Sequence, residues 1–188
     1  MANIRPEQYL IIQRGNLEEI LRRIRMILMD VDGVLTDGRF YYLENDLEAK
    51  AFDVKDGFAI RLAGKSGMKF GIITGKMTPI VEKRAKELEI EEVHQGYFDK
   101  VEVYKGIKER TGFFDAEFAY IGDDLFDMGV MKRVGFAACP ADAVDDIKAI
   151  SDYVCKSEGG RGCVREVIEM VLKARGQWEN LIKEFIRW

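Results

Sequence analysis

The chain has 188 residues, 47% of them hydrophobic, enough for one domain with a buried core. Its 33 acidic and 29 basic side chains leave a net charge of −4, which argues against a nucleic acid or a membrane surface as the main partner. No apolar run is long enough to span a bilayer, and Met1 to Gln8 lacks the apolar region of a secretory signal, so a cytoplasmic location is expected.

From Gln8 to Arg25, Leu10, Ile11, Leu17, Ile20, Leu21 and Ile24 recur at helical spacing around Asn16, a candidate cap, and predict a lead-in helix. Met26 to Met29 is apolar throughout and reads as a strand buried on both faces. Asp30 and Asp32 follow it, and so emerge at the mouth of a parallel sheet, where open α/β sheets take their ligands. Asp30 projects a carboxylate while the chain turns, and Asp32 offers a backbone carbonyl and a second carboxylate. Hard oxygen donors of this kind suit Mg²⁺. From Gly38 to Val54 the pattern changes: Phe40 to Leu43 is β-prone, Glu44-Asn45-Asp46 is a turn candidate, and Leu47 to Val54 alternates apolar with charged residues. This predicts a β-hairpin. Its first arm is apolar on both faces, so burial against a second copy of the chain is expected.

Phe58, Ile60, Leu62 and Ala63 predict a helix after Asp56-Gly57, closed by Gly64 to Gly67. Lys69 to Ile73 is a second buried strand ending in Thr74-Gly75-Lys76. Thr78-Pro79 then opens a helix with a hydroxyl cap and proline in first position, with Ile80, Val81, Ala85 and Leu88 facing inward. A strand over Glu92 to Gln95, a helix over Lys100 to Arg110 and a strand over Glu117 to Ile121 follow, the last ending in Gly122-Asp123-Asp124. Phe126 to Lys132 is expected to be helical, Val134 to Ala138 a strand, Ala143 to Ile150 a helix and Tyr153 to Cys155 a last short strand. Gly159-Gly160-Arg161-Gly162 leads into an amphipathic helix with Val164, Val167, Ile168, Val171 and Leu172 on one face. Trp178, Leu181, Ile182, Phe185 and Ile186 mark a final helix, which with Trp188 either packs at a subunit surface or reaches a neighbouring site as a lid. Strands alternating with helices predict an α/β fold: a doubly wound, Rossmann-like parallel sheet with right-handed crossovers. The expected organisation is a single domain, 1–188, with the hairpin at about 38–54 and the C-terminal helices at about 161–188.

Cys139, Cys155 and Cys163 are an odd number without metal-ligand spacing, so buried or free thiols in a reducing compartment are expected. His94 reads as a strand-end residue, and no Gly-x-Ser-x-Gly turn supports a serine triad built on it. Three strand ends carry groups that phosphoryl chemistry can use: Asp30 and Asp32, then Thr74, then Asp123 and Asp124. Lys100 opens a helix between the last two. Parallel strands bring their C-terminal ends to one rim, so these groups should converge. Taken singly, Thr74 could cap a turn, Lys100 could be a solvated helix start, and the acidic pair could cap a helix.

Asp30-Val-Asp-Gly-Val-Leu-Thr-Asp37, followed in order by Thr74, Lys100 and Gly122-Asp-Asp124, resembles the four motifs of the haloacid dehalogenase superfamily of phosphatases, over Arg25 to Glu166. The resemblance implies that Asp30 is the nucleophile of an aspartyl-phosphate pathway and Asp32 the acid and base. It implies that Thr74 and the Gly75 backbone receive a phosphoryl oxygen, and that Lys100 sets a positive charge beside it. Asp123 would complete a Mg²⁺ shell with Asp30 and the Asp32 carbonyl, and Asp124 would orient a metal water or Lys100. Asp127 either matches the family's further acidic position or supports the loop. There is no room between the motifs for a cap domain.

Among capless members, the resemblance is to the 3-deoxy-D-manno-octulosonate 8-phosphate phosphatases of lipopolysaccharide sugar synthesis. It is carried by Asp56-Gly-Phe-Ala-Ile-Arg61, Ile72-Ile-Thr-Gly-Lys76, Gln95-Gly96, Gly122-Asp-Asp-Leu125 and Gly159-Gly-Arg-Gly-Cys-Val-Arg-Glu166. It implies a homotetramer built through the hairpins, a neighbour closing each site, and a small anionic sugar phosphate as substrate. Lys55, Arg61, Lys76 and Arg161 are the candidates to hold that substrate. Lys76 stands where the family often has arginine, which keeps the charge and loses bidentate geometry. A nonulosonate 9-phosphate is the alternative substrate. A receiver-type phosphorylation switch would instead carry adjacent acids after the first strand and a separate acceptor Asp near mid-chain. An inactive scaffold on the same fold would have no need of Asp30, Asp32, Thr74, Lys100 and Asp123 together.

Overall fold

In the computed structural model, which describes residues 17–44 and 48–186, a helix α1 (17–23) leads into strand β1 (Met26–Met29), all of whose residues are buried. The expected extension of α1 through Leu10, Ile11 and Asn16, the turn residues Asn45 and Asp46, and Trp188 lie outside the described residues. Strand β1 pairs in parallel with β4 (Lys69–Thr74) on one side and β6 (Phe118–Ile121) on the other, with Met26 opposite both Lys69 and Phe118. Beyond β4 lies β5 (Glu92–Gln95); beyond β6 lie β7 (Phe136–Cys139) and β8 (Tyr153–Val154). The six strands are ordered β5-β4-β1-β6-β7-β8 and all run parallel. The chain winds outward from β1 in one direction and then returns to wind in the other. That reversal leaves a crevice at the C-terminal end of β1.

Alternation along the strands divides the core into two layers. Ile27, Met29, Ile72 and Ile121 join the layer formed by α2 (Val54–Gly64), α3 (Pro79–Glu87) and α7 (Cys163–Ala174). Met26, Leu28, Ile73 and Tyr120 join the layer formed by α4 (Lys100–Thr111), α5 (Met128–Met131) and α6 (Asp145–Lys148). Helix α7 buries the whole predicted apolar face, Val164, Val167, Ile168, Val171 and Leu172. Thr78 caps α3 by accepting from the Ile80 N–H at 3.4 Å, with Pro79 in first position. Val81, Ala85 and Leu88 are buried there, while Ile80 is only half-buried. A final helix, α8 (Trp178–Ile186), buries Leu181 and sets Phe185 against Phe58 with ring centroids 5.5 Å apart. No helix among the described residues is long and apolar enough to cross a membrane.

Among the differences from the expected boundaries, three have a visible cause. Helix α2 begins at Val54, because the Asp53 carboxylate caps it by accepting from the Lys55 N–H at 2.5 Å; Asp56 and Gly57 therefore lie inside its first turn. For the same reason the hairpin is shorter. Its strands β2 (Tyr41–Tyr42) and β3 (Glu48–Ala49) pair antiparallel, and the second arm leaves the ladder after Ala49 to reach the cap. The helix expected from Ala143 starts only at Asp145: Val144 is held extended, its N–H donating to the Asp123 carbonyl at 3.0 Å.

Candidate active site

The chain leaves β1 still bonded to its neighbour, the Asp30 N–H donating to the Ile121 carbonyl at 3.0 Å. It then turns tightly. The Val31 carbonyl accepts from the N–H groups of Val34 and Thr36, at 3.3 and 3.0 Å, and from the buried Thr36 hydroxyl at 3.2 Å. Gly33 within this turn has φ +93°, and a Cβ there would stand 2.0 Å from Asp123 Oδ2. Only glycine satisfies both the backbone and the close approach of the loop after β6. Behind the turn, Gly160 N–H donates to the Val34 carbonyl at 2.9 Å, and a Cβ on Gly159 would stand 1.9 Å from the Gly33 carbonyl oxygen. The Gly-Gly-Arg-Gly stretch is thus the backing of the Asp30–Asp32 loop.

Helix α4 is capped by Asp99, which accepts from the Val101 N–H at 3.1 Å, and this directs Lys100 inward. Its buried ammonium lies 2.8 Å from Asp30 Oδ2 and 2.7 Å from Asp127 Oδ1. Asp127 also accepts from the Tyr120 hydroxyl at 2.6 Å and from the N–H groups of Asp123 and Asp124 at 3.0 and 3.3 Å. Its acceptor sites are occupied. Asp124 instead caps the short 3₁₀ turn Leu125–Asp127, accepting from the Leu125 N–H at 2.7 Å. Of the two partners the resemblance offers Asp124, a metal water or Lys100, the second is paired with Asp127 instead.

Carboxylate oxygens of Asp30, Asp123 and Asp127 lie within 4.8 Å of one another, and Asp123 Oδ1 is buried without a hydrogen-bond partner among the described residues. Burial, followed by the repulsion of Asp127, pushes the Asp30 carboxyl up to about 6 against the pull of Lys100. Burial and the charges of Asp127 and Asp30 push Asp123 up to about 8. Burial alone would lower Lys100, yet Asp127 and Asp30 raise it, so it stays charged. The result is a crowd of oxygen donors short of positive charge, with an orphaned buried oxygen among them. Asp127 being occupied, Asp123 keeps a free buried oxygen, while Asp30 takes one donor on each oxygen, the Val31 N–H at 2.6 Å and the Lys100 ammonium at 2.8 Å, and keeps further acceptor capacity. An all-oxygen set of this size fits Mg²⁺, which binds through few protein ligands.

A cleft of about 650 Å³ opens above these groups, lined by Asp30, Asp32, Thr74, Gly75, Lys76, Lys100, Asp123 and Asp124. Its rim is aromatic: Phe40 from the hairpin, Tyr97 and Phe98 after β5, and Phe126 after β6. Phe98 and Phe126 stack edge to face at 5.7 Å. Sequence reasoning overlooked this rim, although each ring sits just beyond a motif at a strand end. It also overlooked Tyr120, Glu48 and Lys50. Glu48 pairs with Lys76 at 2.5 Å, and Lys50 makes an ion pair with Asp32.

Of the substrate-contact candidates among the described residues, Gly75 and Lys76 line the cleft, and Lys76 is the one basic candidate there. Arg61 pairs with Glu89 and lines a separate cleft of about 480 Å³ beside Met26 and Lys69, at the starting ends of β1 and β4. Helix α2 begins near the rim of the first cleft and runs back along the sheet, so its last turn reaches the opposite end. Lys55, in the first turn of α2, is exposed, and Arg161 is exposed beside Glu158 at 3.5 Å. His94 pairs with Glu92 at 2.7 Å, away from the cleft, and the three cysteines are buried free thiols.

A family model for haloacid dehalogenase-like hydrolases matches residues 90–168. Over 157 residues, 84% of each chain, this chain is 42% identical to the 3-deoxy-D-manno-octulosonate 8-phosphate phosphatase KdsC of Escherichia coli (strain K12). The crystal structure of the corresponding phosphatase from Yersinia pestis aligns with a TM-score of 0.86 at 38% identity, over 87% of this chain and 89% of that one. That from Moraxella catarrhalis, in complex with magnesium ion, phosphate ion and a KDO molecule, aligns with a TM-score of 0.89 at 37% identity, over 91% and 98%.

Proposed function

Because the chain belongs to the haloacid dehalogenase-like hydrolases, within the 3-deoxy-D-manno-octulosonate 8-phosphate phosphatase family, we propose that it converts this sugar acid phosphate to the free sugar acid and inorganic phosphate, with Mg²⁺ as cofactor. The observation that carries the reading is the buried, unpartnered Asp123 oxygen beside Asp30, itself 2.8 Å from the Lys100 ammonium, on the floor of an open cleft. The reaction belongs to lipopolysaccharide sugar synthesis.

Phosphate esters resist attack because nucleophile and target are both anionic, so positioning and charge neutralisation dominate the catalysis. Asp30, Asp123 and the Asp32 carbonyl would hold Mg²⁺, which supplies that neutralisation. An Asp30 oxygen forms a bond to phosphorus as the bond to the sugar oxygen breaks, and Asp32 gives its proton to the departing oxygen. Water then attacks the aspartyl-phosphate; Asp32 takes a proton from it, and phosphate leaves with Asp30 restored. Lys100 steadies Asp30, and Thr74 with the Gly75 N–H receives a phosphoryl oxygen. Asp124 and Asp127 shape the loop around them. Lys76 meets the substrate's carboxylate or hydroxyls.

The same reading makes residues 1–188 one capless domain acting in a reducing cytoplasm, in keeping with three buried free thiols. It makes the assembly a homotetramer joined through the hairpins, in which a neighbour supplies what Lys55, Arg61 and Arg161 of the same chain do not bring to the cleft. The test is phosphate release with Mg²⁺ from 3-deoxy-D-manno-octulosonate 8-phosphate, a nonulosonate 9-phosphate and p-nitrophenyl phosphate, alongside Asp30→Asn. A strong preference for the first and nearly complete loss in the variant are expected. Equal, slow hydrolysis of all three would overturn the substrate, and substantial turnover by a folded Asp30→Asn would overturn the nucleophile.

A further inference from the structure

The second arm of the hairpin brings a lysine to the site that the phosphatase motifs do not include. Lys50 follows β3, its side chain is fully covered, and its ammonium makes an ion pair with the Asp32 carboxylate while lying 4.4 Å from the centroid of the Phe40 ring. The Lys76 ammonium approaches the same ring at 4.1 Å and is itself paired with Glu48. Side chains two apart on an extended chain share a face, so Glu48 and Lys50 turn together toward the site, one to hold Lys76 and the other Asp32.

The two lysines differ in what they can reach. Lys76 lines the cleft beside Asp32 and Phe40, whereas Lys50 does not. With its side chain covered and its ammonium paired to Asp32, Lys50 is placed to act through that carboxylate. Burying a lone ammonium is costly unless it is paired. Among the described residues, Lys50 is the side chain bonded to the Asp32 carboxylate. The pairing also ties the short hairpin, an element that is marginal by itself, to the mouth of the site.

We propose that Lys50 is a positioning residue for the hydrolysis: it holds the Asp32 carboxylate in the orientation from which it protonates the leaving oxygen and later takes a proton from water. The proposal rests on the reading of Asp32 as the acid and base. Lys50 itself transfers nothing; the proton passes between Asp32 and the leaving oxygen in the first step, and between water and Asp32 in the second.

p-Nitrophenyl phosphate separates the two steps, because its leaving group departs without a proton while the second step still needs Asp32. In rapid-quench measurements with Mg²⁺, Lys50→Met should keep first-turnover nitrophenolate release within about threefold of the parent, while steady-state phosphate release falls at least about tenfold, a fraction of the roughly 10²–10⁴-fold that acid–base assistance contributes. Turnover of an alkyl phosphate should fall at least as far. Lys50→Arg should recover most of the loss, and Lys50→Gln carries the same expectation if the methionine variant does not fold. An equal fall in both phases, unchanged kinetics, or a raised KM for the alkyl phosphate at constant kcat would overturn the positioning role. Full steady-state turnover by Asp32→Asn would overturn the acid and base reading itself, and the proposal with it.

Discussion

Asp30 and Asp123 concentrate the electrostatic cost of the site. Asp123 is raised from an ordinary 3.8 to about 8, so between those values the folded chain keeps a proton that the unfolded chain releases. In chelator, stability should therefore fall as the pH rises from about 4 to about 8, with Asp30, raised to about 6, contributing in the lower half of that window. Mg²⁺ held by these two acids, as proposed, would need both ionised, so it should flatten this slope and release protons on binding. At a hundredfold excess over its Kd it should add about 2.7 kcal/mol, roughly 5–10 °C in Tm for a chain of this length. Thermal melts across pH, with EDTA and with Mg²⁺, check this; identical slopes in the two series would contradict it. At this scale the acids that mark the site were legible, because Asp-x-Asp and Gly-Asp-Asp stand at the ends of apolar runs. The division of labour between Asp124 and Asp127 was not. It depends on which carboxylate the 3₁₀ turn carries beneath Lys100, a contact made across 27 residues.

Helix α7 begins against a buried acid on another helix. Asp56 accepts from the N–H groups of Arg165 and Gly162, at 2.7 and 3.2 Å, and so satisfies donors that the first turn of α7 would otherwise leave bare. From there the Gly159–Gly160 backbone reaches the Val34 carbonyl, which links this cap to the turn carrying Asp32. Asp56→Ala should cost about 1–3 kcal/mol, because it leaves buried N–H groups unpaired. It should also lower phosphatase turnover by loosening the backing of the site. Denaturant unfolding measures the first effect, and a change under about 0.5 kcal/mol, typical of plain surface sites, would remove the capping role. Helices with strong periodicity, such as α3 and α7, were legible from the order of their apolar residues. The short elements were not. Asp53 moved the start of α2, and the bond from Val144 to Asp123 delayed α6; both depend on groups the periodic pattern does not contain.

At the scale of the molecule, the hairpin leaves a run of large apolar side chains uncovered, Tyr42 being 73% and Leu43 56% exposed beside Phe40 and Tyr41. A contiguous apolar patch on a protruding ribbon calls for a partner, and a second copy presents the same patch in symmetric form. The parent should behave as a tetramer by light scattering. The double variant Tyr42→Glu, Leu43→Glu should dissociate and lose turnover while its melt stays within a few degrees; a tetramer that survives both charges would place the interface elsewhere. The sequence by itself determined the doubly wound sheet, the rim on which the chemistry gathers and the acids that stand there, because strand burial and strand-end position are local properties of a chain. Only the tertiary structure decided that Arg61 lies at the far end of the sheet, that Asp127 rather than Asp124 holds Lys100, and that Lys50 reaches Asp32. Those outcomes depend on the direction in which a helix runs back and on which loops meet at the rim, and both are settled when separate segments pack together.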